Sequence, residues 1–311
     1  MPLKIAVIGL GHMGKIHLNK LNCFEDIDIS AIVDTDSAAT VELSKLTGAD
    51  VYGDYHDAIA SCDGAIIATP TETHFSVCKA FLDAGRHVFM EKPITTSPAE
   101  AEELISIARK NKLIFQIGHL ERFNPAFLQA LPLIQKPILI EATRISPFTG
   151  RSTDVDVVLD LMIHDLDLVL SLVKSEIRDV SAQGVCFMTD KLDAVAARIE
   201  FADGCVATIT ASRISPKKER SITVYEADKS VSIDLLQGKL VSIIKKDDGV
   251  ATEEFTAARI DPVADELREF VNAVAGGKSP IIQGADGLKA LLLAVRIKEY
   301  IKDRQRVSNI Q

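Results

Sequence analysis

From residue 3 to about 118, short apolar runs alternate with segments of helical periodicity; beyond Pro137 the runs lengthen and apolar positions alternate with polar ones. Continuous apolar runs suit strands buried on both faces, so the first pattern predicts a parallel sheet with crossover helices. Strands are expected at Leu3–Ile8, Ile27–Val33, Val51–Tyr52, Gly64–Ala68, His87–Met90 and Ile114–Ile117. Between the last two, Ser97-Pro98 opens a predicted helix to Asn111, with Ala101, Leu104, Ile105 and Ala108 on one face.

The alternating pattern predicts half-buried antiparallel strands at 138–145, 180–187, 195–201, 206–212, 221–226 and 230–235. Asp203-Gly204 has the chemistry of a hairpin turn, and Gln237-Gly238 and Asp248-Gly249 are placed to turn later strands. Helices are predicted over 155–173, 262–275 and 285–303, the last with Leu288, Leu291, Leu292, Val295 and Ile301 along one face. The boundary falls between Gly118 and Pro137, giving a doubly wound α/β domain at 1–120. An α+β domain at 121–311 follows, with an open, mainly antiparallel sheet, and its last helices are free to pack back on the first domain. An open sheet with a broad apolar face calls for cover, which predicts a homodimer or homotetramer through the second domain.

Composition narrows the function classes. The 311 residues are 47% hydrophobic and 25% charged, ordinary globular usage that excludes disorder over most of the length. With 35 Lys and Arg against 44 Asp and Glu the net charge is -9, a field that repels polyanions and argues against nucleic acid. The 5 cysteines stand singly, Cys23, Cys62, Cys78, Cys186 and Cys205, without the spacing of a disulfide framework or a zinc site. No apolar run is long enough to span a membrane and the amino-terminal run ends in glycines, so a cytoplasmic protein is expected.

The candidate chemistry begins at Gly9-Leu10-Gly11-His12-Met13-Gly14, which follows the first strand and opens a helix. In that context Gly9 allows the tight turn, Gly11 a close approach of pyrophosphate, and Gly14 close helix–strand packing, with the helix amino terminus facing the anion. Asp34 ends the second strand where an acid is expected to accept from the adenosine ribose. Thr35 and Asp36 follow in place of an arginine, so the first domain reads as a Rossmann domain for NAD rather than NADP.

Glu91-Lys92-Pro93 places a lysine at the carboxyl end of the fifth strand, where open parallel sheets bind ligands. Asp160 and His164 lie one turn apart on a predicted helix and share a face. Asp165 and Asp167 read as solvated or capping acids, and no third ligand at the right spacing supports a metal.

These residues, with Ala68-Thr69-Pro70 and His74 after the fourth strand, resemble over essentially the whole chain the Gfo/Idh/MocA family, named for glucose-fructose oxidoreductase and inositol dehydrogenase. The resemblance implies that Lys92, Asp160 and His164 form the catalytic group, Lys92 holding the reacting hydroxyl and His164 moving its proton, with Lys92 as the base left open. It puts Thr69, Pro70, His74, Glu91 and Lys92 beside NAD together with Gly9, Gly11, His12, Met13, Gly14 and Asp34. The stretches 118–125 and 160–165 resemble the branch that oxidises UDP-N-acetylglucosamine at C3 to a 3-keto sugar for later amination, which implies an aminotransferase downstream. Arg122, Asn124, Arg151 and His164 are then the substrate-binding candidates, with Arg144, Arg213, Lys217, Lys218 and Arg220 as further cations for the nucleotide. Alternatives are a dehydrogenase of inositol-type polyols or other sugars, a redox-neutral glycosidase that retains NAD, and a non-catalytic sensor of NAD or sugar.

Lys92→Ala is expected to leave NAD affinity nearly intact while lowering turnover about a hundredfold or more, measured by calorimetric titration and by reduced-nicotinamide absorbance. Equal loss of both would make Lys92 a structural residue.

Overall fold

The computed structural model describes residues 2–150, 155–259 and 261–308. Strands β1 (Leu3–Ile8), β2 (Ile27–Val33), β3 (Asp50–Tyr52), β4 (Gly64–Ile67), β5 (His87–Glu91) and β6 (Phe115–Gly118) alternate with helices α1 (His12–Leu21), α2 (Ser37–Thr47), α3 (Tyr55–Ala58), α4 (His74–Asp83) and α5 (Pro98–Lys110). Then come α6 (Pro125–Ala130), β7 (Leu139–Ile145), a π-helical turn (Val158–Met162), and α7 (Ile163–Leu172). Strands β8 (Ile177–Val185), β9 (Ala194–Phe201), β10 (Val206–Ser212), β11 (Glu219–Tyr225), β12 (Lys229–Asp234), β13 (Lys239–Lys246) and β14 (Gly249–Thr256) follow, and α8 (Pro262–Gly276) and α9 (Gly284–Ser308) close the chain.

The chain divides into two compact units, 1–120 with 263–288, and 121–262 with 289–311. The first is built on a parallel sheet in the order β3-β2-β1-β4-β5-β6. β1 pairs in parallel with both β2 and β4, so the strand order reverses between β1 and β4. Ile5, Val7, Ile32, Ile66 and Phe89 fill its core with Leu18 and Leu21 of α1, and α8 adds Leu267 and Phe270. Phe270 meets Phe89 edge-on with ring centroids 6.0 Å apart.

The second unit holds an eight-stranded sheet in the order β14-β13-β12-β11-β7-β10-β9-β8. It is antiparallel except where β10 runs parallel to β7. The β9–β10 hairpin turns at Asp203-Gly204, where Gly204 takes a φ of +93° that L residues rarely adopt. The turns expected after β12 and β13 also close antiparallel pairs. One face of the sheet, including Ile140, Ala142, Ala197, Ile199, Ala207 and Ile209, is buried, and α6 and α7 pack against strands of the sheet. The opposite face is mixed rather than a continuous apolar expanse: it presents Glu141, Thr143, Arg198, Thr208, Thr210 and Thr223 together with Leu139, Val206, Tyr225, Val241 and Ile243.

A charged network lies inside the second unit. Arg144 of β7 is 2% exposed. Its Nε and Nη2 donate to Asp165 of α7 at 2.8 and 2.9 Å, and its Nη1 donates to Glu121 at 2.7 Å. Arg220 of β11 also donates to Glu121, at 3.2 Å. Burial opposes the charge on Arg144, but the two carboxylates outweigh it and hold its pKa above the ordinary arginine value. A second bidentate pair joins Arg122 to Asp167 of α7, both bonds at 2.7 Å. Asp165 and Asp167 are thus buried partners of arginines, not solvated or capping acids as their polarity suggested.

The five cysteines are free thiols, Cys62, Cys78 and Cys205 buried and Cys23 and Cys186 exposed. Burial pushes Cys62 and Cys205 each up to about 11, which removes their thiolate character near neutrality. Among the described residues no helix is long and apolar enough to cross a membrane.

Arg144→Met leaves two buried carboxylates without their main cation and is expected to destabilise the second unit by about 3–5 kcal/mol, read from chemical denaturation. A loss below about 1 kcal/mol would show that the network contributes little beyond its apolar isostere.

Candidate active site

The strand order reverses between β1 and β4, whose carboxyl ends are the position where doubly wound sheets take a ligand. The turn after β1 has no room for side chains. Gly9 has a φ of +88°, and a Cβ there would lie 2.8 Å from the Ala68 carbonyl oxygen after β4. A Cβ on Gly14 would stand 1.8 Å from the Gly9 carbonyl oxygen, so α1 can pack this closely only with glycine. Gly11 differs from both: a Cβ there would meet nothing within 4 Å. It is the N-cap of α1, and no side chain caps the helix. Open space before an uncapped helix amino terminus is the cradle a pyrophosphate requires. His12 and Met13 form the first turn of α1, His12 exposed and Met13 half-buried.

Asp34 stands just beyond β2. Its carboxylate accepts from the Leu10 amide at 2.5 Å and from the Asp36 amide at 2.9 Å. These bonds fix the acid against the glycine turn and leave lone pairs for ribose hydroxyls. The residues in hand therefore fit NAD. Thr35 and Asp36 are exposed and provide no cation for a 2'-phosphate.

Beyond β4, Thr69 is half-buried and Pro70 exposed, and the Thr73 hydroxyl oxygen lies 2.8 Å from both Thr69 Oγ1 and the Pro70 carbonyl oxygen. His74 is buried, its Nδ1 2.8 Å from the Pro93 carbonyl and its Nε2 3.0 Å from the Thr69 carbonyl. Burial lowers its pKa and outweighs the two carbonyls, which favour the charged ring. His74 thus ties the loops after β4 and β5 together. Glu91 ends β5, and the half-buried Lys92 follows, joined to Pro93 by a cis peptide bond.

The second unit positions Asp160 and His164. Asp160 lies in the π-helical turn and His164 in the first turn of α7. The sequence expects one continuous α-helix here; the π turn widens the backbone at Asp160, just ahead of His164, a distortion frequent at functional sites. Asp156 starts this segment by accepting from the Val158 and Leu159 amides at 3.0 and 3.1 Å. Asp165, next to His164, is held by Arg144, so the ion pairs orient the helix that carries the histidine.

The substrate candidates fare unevenly. The Arg122 guanidinium is engaged by Asp167. Asn124 is 1% exposed: its Oδ1 caps the Ala126 amide at 3.1 Å, and its Nδ2 donates to the Leu235 carbonyl at 2.9 Å. That amide serves the fold, because Asn before Pro125 is a helix N-cap, and the substrate role expected of Asn124 is not what its contacts support. Arg151 lies outside the described residues. Arg213, one of the further cations, is buried and donates to Asp193 at 2.7 Å.

His17 was not singled out by the sequence. It is buried on α1 and lies 2.7 Å from Glu91, with Glu266 of α8 bringing a third potential ligand atom within 4.8 Å. Its signal was a histidine within the stripe Gly14, His17, Leu18 and Leu21, all on the buried face.

Comparison with known proteins shows the family. Residues 3–119 match the oxidoreductase family with an NAD-binding Rossmann fold, Gfo/Idh/MocA, and residues 117–232 match the C-terminal domain of that family. The UDP-N-acetylglucosamine 3-dehydrogenase of Acidithiobacillus ferrooxidans is 33% identical, across 96% of this chain and 97% of its own. The chain belongs to the Gfo/Idh/MocA family.

A solved structure of that Acidithiobacillus enzyme superposes with a TM-score of 0.91, covering 97% of this chain and 99% of the other. The myo-inositol 2-dehydrogenase of Thermotoga maritima is 25% identical over 98% of each chain. As a Gfo/Idh/MocA protein the chain is an NAD-dependent oxidoreductase acting on a CH–OH group.

Removing the Asp34 carboxylate deletes the acceptor for the ribose. Asp34→Ala is expected to weaken NAD binding about tenfold to a hundredfold and to narrow the preference over NADP, by calorimetric titration of both. Unchanged NAD affinity would detach Asp34 from the cofactor.

Proposed function

We propose that this oxidoreductase removes hydride from C3 of UDP-N-acetylglucosamine and delivers the 3-keto sugar for amination. The reading rests on the full-length likeness to the Acidithiobacillus 3-dehydrogenase together with Lys92, Asp160 and His164 in this chain. NAD, when bound, supplies the hydride acceptor. The rest is work for the chain's own side chains. His164 takes the C3 hydroxyl proton, because imidazole has a pKa near working pH and can accept and return it. The Lys92 ammonium stabilises negative charge as it grows on the C3 oxygen, and Asp160 orients the reacting hydroxyl. A base whose ring wobbled would lose much of its advantage, and the ion pairs behind α7 limit that motion. The substrate thus loses one hydride and one proton and becomes a ketone.

A specific observation favours a second reading. Arg122 is already neutralised by Asp167, so it is a poor anchor for a diphosphate, whereas an uncharged polyol needs no such anchor. Oxidation of inositol, the activity named for the Thermotoga relative, is that alternative.

The test is reduced-nicotinamide absorbance with UDP-N-acetylglucosamine, free N-acetylglucosamine or myo-inositol, using glutamate and an aminotransferase to draw off the ketone. Growth with the nucleotide sugar alone is expected. Growth with myo-inositol alone would replace the proposal by the polyol reading, and silence with all three would overturn both.

A further inference from the structure

His17 has no exposed surface and lies one turn beyond Gly14 on α1, the helix that opens at the phosphate cradle. Its ring stands edge-on to Phe89 of β5, with centroids 5.3 Å apart, and its Nε2 is 2.7 Å from Glu91 Oε1. The other carboxylate oxygen, Oε2, accepts from the Lys92 backbone amide at 3.3 Å. On the far side β6 leaves no slack: a Cβ on Gly118 would come within 3.3 Å of the Glu91 carboxyl. Burial favours the neutral acid, but the bond from His17 and the nearby positive charges outweigh it and hold Glu91 below the usual carboxylate range. A carboxylate only accepts, so Nε2 of His17 carries the proton and donates it.

We infer that His17 is a positioning residue for Lys92: through Glu91 it sets the main chain from which the lysine extends, and it links that main chain to the helix that faces the cofactor phosphates. The inference rests on the reading of Lys92 as a reacting-site group. A buried donor costs free energy unless it is hydrogen-bonded, and the partner that satisfies His17 Nε2 is the residue next to the lysine. His17 touches neither sugar nor nicotinamide in this role; it acts through Glu91.

The test uses the full chain with His17→Leu, which keeps bulk and removes the donor, and His17→Gln, whose amide nitrogen can replace Nε2. In nitrogen-labelled protein the Lys92 amide resonance is expected to move in His17→Leu and to return toward its original position in His17→Gln. With the sugar that the wild type oxidises, kcat should fall about tenfold or more in His17→Leu while the NAD dissociation constant stays within about threefold, and His17→Gln should recover most of the loss. Glu91→Gln should match the loss, and the double variant should add little to it, because the two residues act as one unit.

An unmoved Lys92 amide with unchanged kcat in His17→Leu would overturn the inference. So would a stoichiometric metal ion in the purified protein that is lost in His17→Leu, since His17, Glu91 and Glu266 would then be a metal centre. If His17→Leu does not fold, His17→Gln and Glu91→Gln carry the comparison. Should the wild type oxidise no sugar, the functional reading fails while the amide shift and NAD titration still decide the role of His17.

Discussion

The turn after β1 must pass within van der Waals contact of two other backbone segments, and much of the first unit's chemistry follows from that constraint. Gly9 abuts the Ala68 carbonyl, and Gly14 abuts Gly9. Because neither can carry a side chain, α1 begins close to the ends of β1 and β4 with its amino-terminal dipole aimed outward over Gly11. The same closeness brings the Leu10 amide onto Asp34, so the phosphate cradle and the ribose acid are one assembly. It also lays His17 beside Glu91, which joins the assembly to the strand that leads into Lys92. One geometric requirement thus sets several polar groups whose chemical roles differ.

The second unit solves its positioning problem with charge. α7 is buried on nearly every side, and an all-apolar helix in such a place would be held by shape alone. Instead Asp165 and Asp167 are each gripped by a guanidinium through two parallel bonds. Such pairs recover their desolvation cost only with good geometry, so they define the helix's rotation more sharply than apolar contacts do. His164 immediately precedes the first of the two anchored acids, on the helix that they hold.

The legibility of the sequence was uneven for physical reasons. Parallel strands buried on both faces leave continuous apolar runs, and β1 and β2 were visible to the residue for that cause. The glycine turn and Asp34 were legible because their spacing is dictated by local backbone geometry. Arg144 and Arg122 looked like substrate cations, since a sequence does not show that a carboxylate far along the chain waits for them. Asn124 is the opposite case: its cap partner, the Ala126 amide, is only two residues away, whereas its second partner, the Leu235 carbonyl, is distant along the chain.

By itself, then, the sequence determined the two-part architecture and the cofactor class, because periodicity, turn chemistry and motif spacing are local properties. Tertiary structure alone decided which charges are free for chemistry and which are committed to the fold. It placed the π turn at Asp160, closed Arg144 on Asp165 and Glu121, and set His17 against Glu91. Those outcomes depend on pairs that are distant along the chain, and an ionised side chain declares its role only when its partner is known.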